Sequence, residues 1–169
     1  MTRVARRDEA AFTLLVERFG GRLLSVARRL LRSPEDAEDA VQRTFVQVYT
    51  AGAAYRPEWA VSTWLYRILT NICIDELRRR RARARKLPAT LRAAGAPSPN
   101  RGPTAAPDLD RVLAKLPREA RVLVVLRYVD GLSYRELARV RGISVNTVKS
   151  QLRRAKGVLR SGLARGGRR

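Results

Sequence analysis

The sequence predicts an all-α protein in which two small helical domains are joined by a flexible linker that contains Pro and Gly. Apolar residues recur at steps of three and four in both halves of the chain, which is the spacing of amphipathic helices. No stretch shows the pattern of a βαβ unit. The apolar period disappears between 87 and 107, where five of the eight prolines fall. We therefore assign 1–86 to the first domain, 87–107 to the linker and 108–169 to the second domain.

The charge balance indicates a polyanionic partner. The 169 residues include 36 Lys and Arg against 15 Asp and Glu, which gives a net charge of +21. Nucleic acid is the first candidate, because binding of a cationic surface to its phosphates is favoured by the release of counterions. An anionic membrane surface is the second candidate. No apolar run reaches the roughly 18 residues of a spanning helix, and the amino terminus lacks the apolar core of a signal peptide. We expect a cytoplasmic protein without membrane insertion.

The scarcity of reactive side chains excludes much chemistry. The chain has no histidine and one cysteine, Cys73. Zinc sites of the Cys and His type, histidine-based triads and intrachain disulfides are therefore excluded. The acidic residues form no metal or nucleophile motif, so we predict no enzyme activity, no metal and no cofactor. Cys73 lies between Ile72 and Ile74 in a helical pattern, which favours packing in the core over a reactive redox thiol.

Two helices are predicted before residue 53. The first runs from Glu9 to Leu31. Ser33 and Pro34 are typical of the N-cap and first position of the second helix, which we expect to end near Gly52. Both helices carry an apolar stripe, formed by Phe12, Leu15, Phe19, Leu23, Val26 and Leu30 in the first and by Ala37, Val41, Phe45 and Val48 in the second.

A third helix follows the loop at 53–60. Ser62 or Thr63 is predicted to cap it, and it runs on into a basic cluster that ends at Lys86. Its inward positions are Leu65, Ile68, Leu69 and Ile72. A second set of positions recurs at steps of four and three and is predicted to point outward. These positions are Arg67, Asn71, Ile74, Arg78 and Arg81.

The second domain contains a helix-turn-helix pattern. Two short helices, at 109–116 and 117–128, precede it. Ser133 and Glu136 have the spacing of a capping box, in which each satisfies a free amide at the helix start. Gly142 suits the positive φ angle that the turn requires.

The last helix carries side chains suited to base edges and phosphates. Ser144 is predicted to cap this helix. The outer face is formed by Ser144, Asn146, Thr147, Lys149, Ser150, Arg153 and Arg154. Arg141 stands just before the turn, where such motifs usually have an apolar residue, and we expect its guanidinium to snorkel or turn outward. A plain helical hairpin with solvated charges is the alternative.

Three segments resemble a known family. They are DAEDAVQRTF at 36–45, STWLYRILTNICIDELRRRR at 62–81 and LPREARVLVVLRYVDGLSYRELARVRGISVNTVKSQLRRAK at 116–156. In order and spacing they resemble the extracytoplasmic-function sigma factors of the sigma-70 superfamily. The resemblance implies that the first domain corresponds to sigma region two and the second, with its basic tail, to region four. It implies an RNA polymerase sigma factor that binds core polymerase and directs promoter-specific transcription initiation.

The resemblance also implies three sets of binding residues. The outer face of the last helix, as given above, would read the minus-thirty-five element. Reading and opening of the minus-ten element would fall to Tyr55, Trp59, Arg67, Thr70, Asn71, Asp75, Arg78 and Arg81. The contact with core polymerase would fall to Asp36, Asp39, Gln42, Arg43, Phe45 and Tyr49. For Trp59, packing within the domain is an equal alternative, and for the second helix the alternative is a solvated face.

The partners implied are core RNA polymerase, through its clamp helices and flap, and promoter DNA. An anti-sigma factor is a further candidate. The chief alternative is a helix-turn-helix transcriptional regulator of the response-regulator type that acts without polymerase. Such a regulator would be expected to carry a dimerisation element or a phospho-acceptor domain in front, and neither pattern is visible. A nucleic-acid enzyme is a third class.

Overall fold

The computed structural model describes residues 1–52, 55–86 and 107–166, and within these ranges every regular element is a helix. The first domain contains α1 (Thr2–Ala5), α2 (Glu9–Leu31), α3 (Pro34–Thr50) and α4 (Val61–Lys86). The second contains α5 (Pro107–Lys115), α6 (Arg118–Tyr128), α7 (Tyr134–Arg141) and α8 (Val145–Gly166). The predicted all-α class is confirmed. The predicted linker at 87–107 lies outside the described residues, apart from Pro107.

Side-chain caps explain where the first two long helices begin. The Asp8 carboxylate accepts a hydrogen bond from the Ala11 backbone N–H at 2.9 Å and so caps α2. The predicted cap of α3 is confirmed, because the Ser33 hydroxyl accepts from the Asp36 N–H at 3.2 Å. Each cap satisfies one of the free amides of a helix start.

The start of α4 differs from the prediction. The helix begins at Val61, so neither Ser62 nor Thr63 is its cap, and both lie within the first turn. Thr63 is 1% exposed and Trp64 is 8% exposed. Burial of this turn against the domain core outweighs the local preference of serine and threonine for the cap position.

The core of the first domain lies where α2, α3 and α4 pack against one another. Its fully buried side chains include Leu23, Val26, Leu30, Val48, Leu65 and Leu69. Each such side chain stabilises the fold by about 1.5–3 kcal/mol relative to its exposed state. Cys73 is also fully buried, and burial raises the pKa of its thiol to about 12. The packing interpretation of this cysteine is confirmed.

The helix-turn-helix is confirmed in detail. The Ser133 hydroxyl accepts from the Glu136 N–H at 3.2 Å, and the Ser133 N–H donates to the Glu136 carboxylate at 2.7 Å. Gly142 ends α7 with φ +65°, a left-handed conformation that favours glycine. Ser144 caps α8, since its hydroxyl accepts from the Thr147 N–H at 3.0 Å. Helices α5, α6 and α7 all pack against α8.

The two domains contact each other through α6 on α2 and through α7 on α4. Their buried apolar side chains form one continuous cluster that extends from Val4 to Ala155. Arg121, which is 9% exposed, donates from its guanidinium to the Leu30 carbonyl of the first domain at 3.5 Å. It also donates to the Ala114 carbonyl of its own domain at 2.9 Å. Among the described helices, none is both long enough and apolar enough to cross a membrane.

Candidate nucleic-acid interface

The outer face of α8 presents four polar or charged side chains to solvent. These are Asn146, Lys149, Arg153 and Arg154. Within the described part of the chain they make no hydrogen bond or ion pair with another residue. Asn146, Lys149 and Arg153 follow at steps of three and four, so they share one face of the helix. No Asp or Glu occurs between Ser144 and Gly166, so nothing on α8 offsets their positive charge.

The three hydroxyl groups predicted on this face are already used within the helix. The Ser144 hydroxyl caps α8 and also shares a hydrogen bond with the Thr147 hydroxyl at 2.9 Å. The Ser150 hydroxyl donates to the Thr147 carbonyl at 3.0 Å. These hydrogen bonds rigidify the first two turns of α8. The donors left for a ligand are those of Asn146, Lys149, Arg153 and Arg154.

The predicted outward stripe of α4 is only partly exposed. Asn71 is exposed, but Thr70 is 0% exposed and Ile74 is 3% exposed. The prediction that Ile74 points to solvent is wrong, and it belongs to the buried cluster shared by the two domains. The reason is that the second domain lies on this helix, a contact that the period of the helix itself cannot show.

The amino-terminal part of this stripe, from Arg67 to Asn71, forms hydrogen bonds with the second domain. Arg141 donates to the Asn71 side-chain oxygen at 3.1 Å and to the Thr70 hydroxyl at 3.3 Å. Arg67 donates to the Arg139 carbonyl at 3.3 Å. The expectation that Arg141 snorkels or turns outward is wrong, because its side chain is 12% exposed and pairs with Glu119 at 2.6 Å.

The carboxyl-terminal part of α4 is basic and exposed to solvent. Arg78 and Arg81 are exposed, and Arg78 forms an exposed pair with Asp75 at 3.3 Å. Beside them Arg80 contacts the carboxylates of Asp36 and Glu76. The exposed arginines provide a surface that suits a phosphate backbone.

The loop before α4 is anchored by its own aromatic residues. The Tyr55 hydroxyl donates to the Trp59 carbonyl at 2.6 Å, and the Tyr55 ring meets the Trp64 ring edge-on with centroids 5.5 Å apart. The Arg67 guanidinium lies 5.3 Å from the centre of the Trp59 ring. Tyr55 and Trp59 are half-buried against the core, so packing is one role of Trp59. The loop positions Ala53 and Ala54 lie outside the described residues.

The predicted polymerase-binding face lies on α3. Asp39 and Arg43 form an exposed pair at 3.4 Å, and Gln42 beside them is exposed. Asp36 instead contacts Arg80 of α4 and therefore helps to hold the two helices together.

Aromatic residues support this face from beneath. Phe45 is 8% exposed, and the rings of Phe45 and Tyr49 contact Phe12 with centroids 6.2 and 5.1 Å away. Sequence reasoning missed Val46, an apolar residue that is 61% exposed on the same helix. Its spacing of four from Gln42 and seven from Asp39 is the signal that could have found it.

Comparison with known proteins finds the same family in both halves of the chain. Residues 15–83 match the family model for Sigma-70 region 2, and residues 107–159 match that for Sigma-70, region 4. The chain is 36% identical to the ECF RNA polymerase sigma factor SigE of Mycolicibacterium smegmatis, over 95% of the chain and 66% of that protein. It is 34% identical to the ECF RNA polymerase sigma factor SigM of Mycobacterium tuberculosis, over 88% of the chain and 75% of that protein.

A solved structure shares the arrangement of both halves. CnrH, solved in complex with the cytosolic domain of CnrY, is similar with a TM-score of 0.73 and 29% identity, over 96% of this chain and 94% of that chain. The two regional matches, the sequence identity across both domains and this structural likeness agree with one another. The chain belongs to the extracytoplasmic-function (ECF) family of RNA polymerase sigma factors.

Proposed function

We propose that this chain is a promoter-specificity subunit that binds core RNA polymerase and directs initiation to promoters with matching minus-ten and minus-thirty-five elements. The observation that carries the proposal is the presence of a region 2 match and a region 4 match on one chain, with an uncommitted cationic face on α8. The chain acts by binding and catalyses no reaction of its own. A subunit of the polymerase works in the cytoplasm.

The second domain, 108–169, reads the minus-thirty-five element in this proposal. The capped start of α8 enters the major groove, as recognition helices of this motif do. Asn146 and Arg153 lie on one exposed face and offer the donor geometries that match adenine and guanine edges. Lys149 and Arg154 hold the flanking phosphates, where a charge without directional demands is sufficient.

The first domain, 1–86, reads and opens the minus-ten element and binds the polymerase. The exposed α4 side chains between Arg67 and Arg81 supply the DNA contacts, and the loop with Tyr55 and Trp59 supplies aromatic surface for an unstacked base. The α3 face centred on Asp39 and Gln42 contacts the clamp helices of core polymerase. Its mixture of charged groups with the exposed Val46 suits a protein surface.

A regulatory protein partner of the anti-sigma type is part of the proposal. CnrH, whose fold is similar over nearly all of this chain, was solved with the cytosolic domain of CnrY bound. A protein that contacts both domains would cover the surfaces that promoter DNA and polymerase require.

The flap of the polymerase is proposed as the contact of the second domain.

Binding of promoter DNA with and without core polymerase tests the proposal. Fluorescence anisotropy of a labelled promoter fragment should show sequence-specific binding when the chain and core polymerase are both present. The chain alone should bind with little sequence preference and with steep salt dependence. Equal specificity without polymerase, together with no retention of polymerase on the immobilised chain, would favour the helix-turn-helix regulator instead.

A further inference from the structure

A cleft of about 490 Å³ lies between the carboxyl-terminal half of α4 and the start of α6. Its walls carry four arginines, Arg78 and Arg81 from α4 and Arg118 and Arg121 from α6. Arg78 also forms the exposed pair with Asp75. The volume falls within the roughly 300–1,000 Å³ that is usual for small-molecule sites. Guanidinium groups concentrated around such a concave space indicate an anionic ligand.

Acidic side chains leave most of this charge uncompensated. Among the described residues that line the cleft, Glu119 alone is acidic, and its carboxylate already accepts a hydrogen bond from Arg141 at 2.6 Å. No carboxylate pairs with Arg81, Arg118 or Arg121 within the described part of the chain. Three guanidinium groups therefore share the cleft without a counter-ion from the protein.

Arg121 is the buried member of this set, with 9% of its surface exposed. Its Nη2 atom donates to the carbonyls of Ala114 and Leu116 at 2.9 and 3.4 Å, and Nη1 donates to the Leu30 carbonyl at 3.5 Å. The Nε atom is buried and has no hydrogen-bond partner among the described residues. Burial lowers the pKa of this guanidinium, and neighbouring arginines lower it further. A buried charge without an opposite charge is costly, and an anion in the cleft would compensate it.

The start of α6 adds backbone donors to the same cleft. The helix begins after Pro117, and no side-chain hydrogen bond caps it in the described structure. Pro117, Arg118 and Glu119 all line the cleft. The N–H groups of a first helical turn have no partner within their helix and attract phosphate and other anions. Backbone amides and guanidinium groups thus surround one space.

The shape of the cleft favours a compact ligand over a DNA strand. A strand can reach Arg78 and Arg81, which are exposed on α4, but the nearly buried Arg121 is accessible only to a small group. Two linked phosphoryl groups place several negative charges in a small volume and match the forked donors of arginine. Apolar side chains, Leu77 and Leu116, form another part of the wall and suit an organic group attached to the phosphates.

We propose that this cleft binds a compact ligand that carries a pyrophosphoryl group, which is supplied by inorganic pyrophosphate or by a nucleotide. Arg118 and Arg121 hold the phosphates from α6 together with the N–H groups of its first turn, and Arg81 holds them from α4. This site goes beyond the proposed function, which requires promoter DNA and polymerase as ligands but no small molecule.

Calorimetric titration of the full-length chain tests the proposal. Magnesium-free pyrophosphate, ADP and sulfate are each added at an ionic strength of about 0.15 M, which screens exposed charges. The proteins are the wild type, Arg81→Gln, Arg118→Gln and the control Arg83→Gln. Arg83 is exposed on α4 outside the cleft and undergoes the same change of charge. The buried Arg121 is left intact, so that each variant keeps its core, and circular dichroism confirms folding.

Pyrophosphate should bind the wild type saturably at a single site and more tightly than sulfate. Arg81→Gln and Arg118→Gln should each weaken this binding about tenfold or more, the effect of losing one charge-assisted hydrogen bond, while Arg83→Gln should retain the wild-type affinity. Tighter binding of ADP than of pyrophosphate would support the proposal with a nucleotide as the source. Equal or weaker binding of ADP would support it with inorganic pyrophosphate.

Three results would overturn the proposal. One is equal weakening in all three variants, which would show that pyrophosphate binds the basic surface diffusely. Another is sulfate binding as tight as pyrophosphate binding, which would remove the need for linked phosphates. The third is weaker binding of a single-stranded oligonucleotide to Arg118→Gln when pyrophosphate shows no saturable binding to the wild type. The cleft would then belong to the DNA-binding surface.

Discussion

Arg141 Nη1 and Asn71 Oδ1 lie 3.1 Å apart, although 70 residues separate them along the chain. The arginine takes a position where helix-turn-helix motifs usually have an apolar residue, and its charge is compensated by Glu119 on one side. On the other side it engages a side chain proposed to read DNA. One departure from the usual motif thus connects the two halves of the molecule.

The proposed division of work on α8 can be tested with Arg153→Ala. Loss of a bidentate contact to guanine should cost about 1–3 kcal/mol and relax preference at one or two positions of the minus-thirty-five element. Binding to a panel of single-base promoter variants at several salt concentrations measures both effects. A uniform loss across the panel would move Arg153 to the phosphate contacts.

Lys149→Ala is the matched variant on the same face. A phosphate contact should weaken binding to all sequences about equally and reduce the slope of log K against log salt by roughly one. A change in sequence preference in this variant would contradict its role as a phosphate contact.

Two carboxylates on the polymerase face of α3 are predicted to have different roles: Asp39 binds polymerase, and Asp36 stabilises the domain. Asp39→Lys should weaken retention of core polymerase with little change in stability, since exposed pairs such as Asp39 with Arg43 contribute about 0–1 kcal/mol. Asp36→Lys should lower the melting temperature as well, because Asp36 contacts Arg80 of α4. Glu38→Lys carries the same charge change as a control. Retention unaffected by Asp39→Lys would contradict the assignment of this face.

The capping box of α7 should contribute measurably to the second domain. Ser133→Ala removes the acceptor of the Glu136 N–H and should lower the free energy of unfolding by about 1 kcal/mol. Ser161→Ala is the control, since its hydroxyl only donates to the Gly157 carbonyl on the exposed side of α8. Urea denaturation of both variants measures the difference. Equal stability of the two would show that the cap contributes nothing.

Cys73 should be inert in the folded protein. Its thiol is fully buried and burial raises its pKa from 9.0 to about 12, so little thiolate forms at pH 8. A thiol reagent should react slowly at pH 8 in buffer and fast in urea. Because the pKa is raised in the fold, stability from this group is complete below pH 9 and falls as the pH rises towards 12. Fast reaction in buffer would contradict the buried position.

Local signals predicted much of the fold and of the α8 face. Apolar periods gave the extent of α2, and the caps at Ser33, Ser133 and Ser144 were confirmed because each depends on neighbours within three residues. Lys149, Arg153 and Arg154 on α8 were found exposed, because none of the described elements covers that side.

Non-local packing explains what the sequence could not show. Ile74 belongs to the buried cluster that both domains share, and the partners of Arg141 lie on two other helices. The helical period of a sequence predicts which residues share a face of a helix. It does not predict which other elements cover that face. The start of α4 was misplaced for the same reason, since packing around Trp64 sets it.

Run-off transcription with purified core polymerase tests the central claim most directly. Promoter-bearing templates are transcribed by core polymerase with and without this chain, and by core polymerase with Arg153→Ala. We predict discrete promoter-initiated transcripts only when the chain is present, with reduced yield for Arg153→Ala from promoters that contain the minus-thirty-five element. Transcripts that are identical with and without the chain, although the chain is folded and binds DNA, would contradict this prediction.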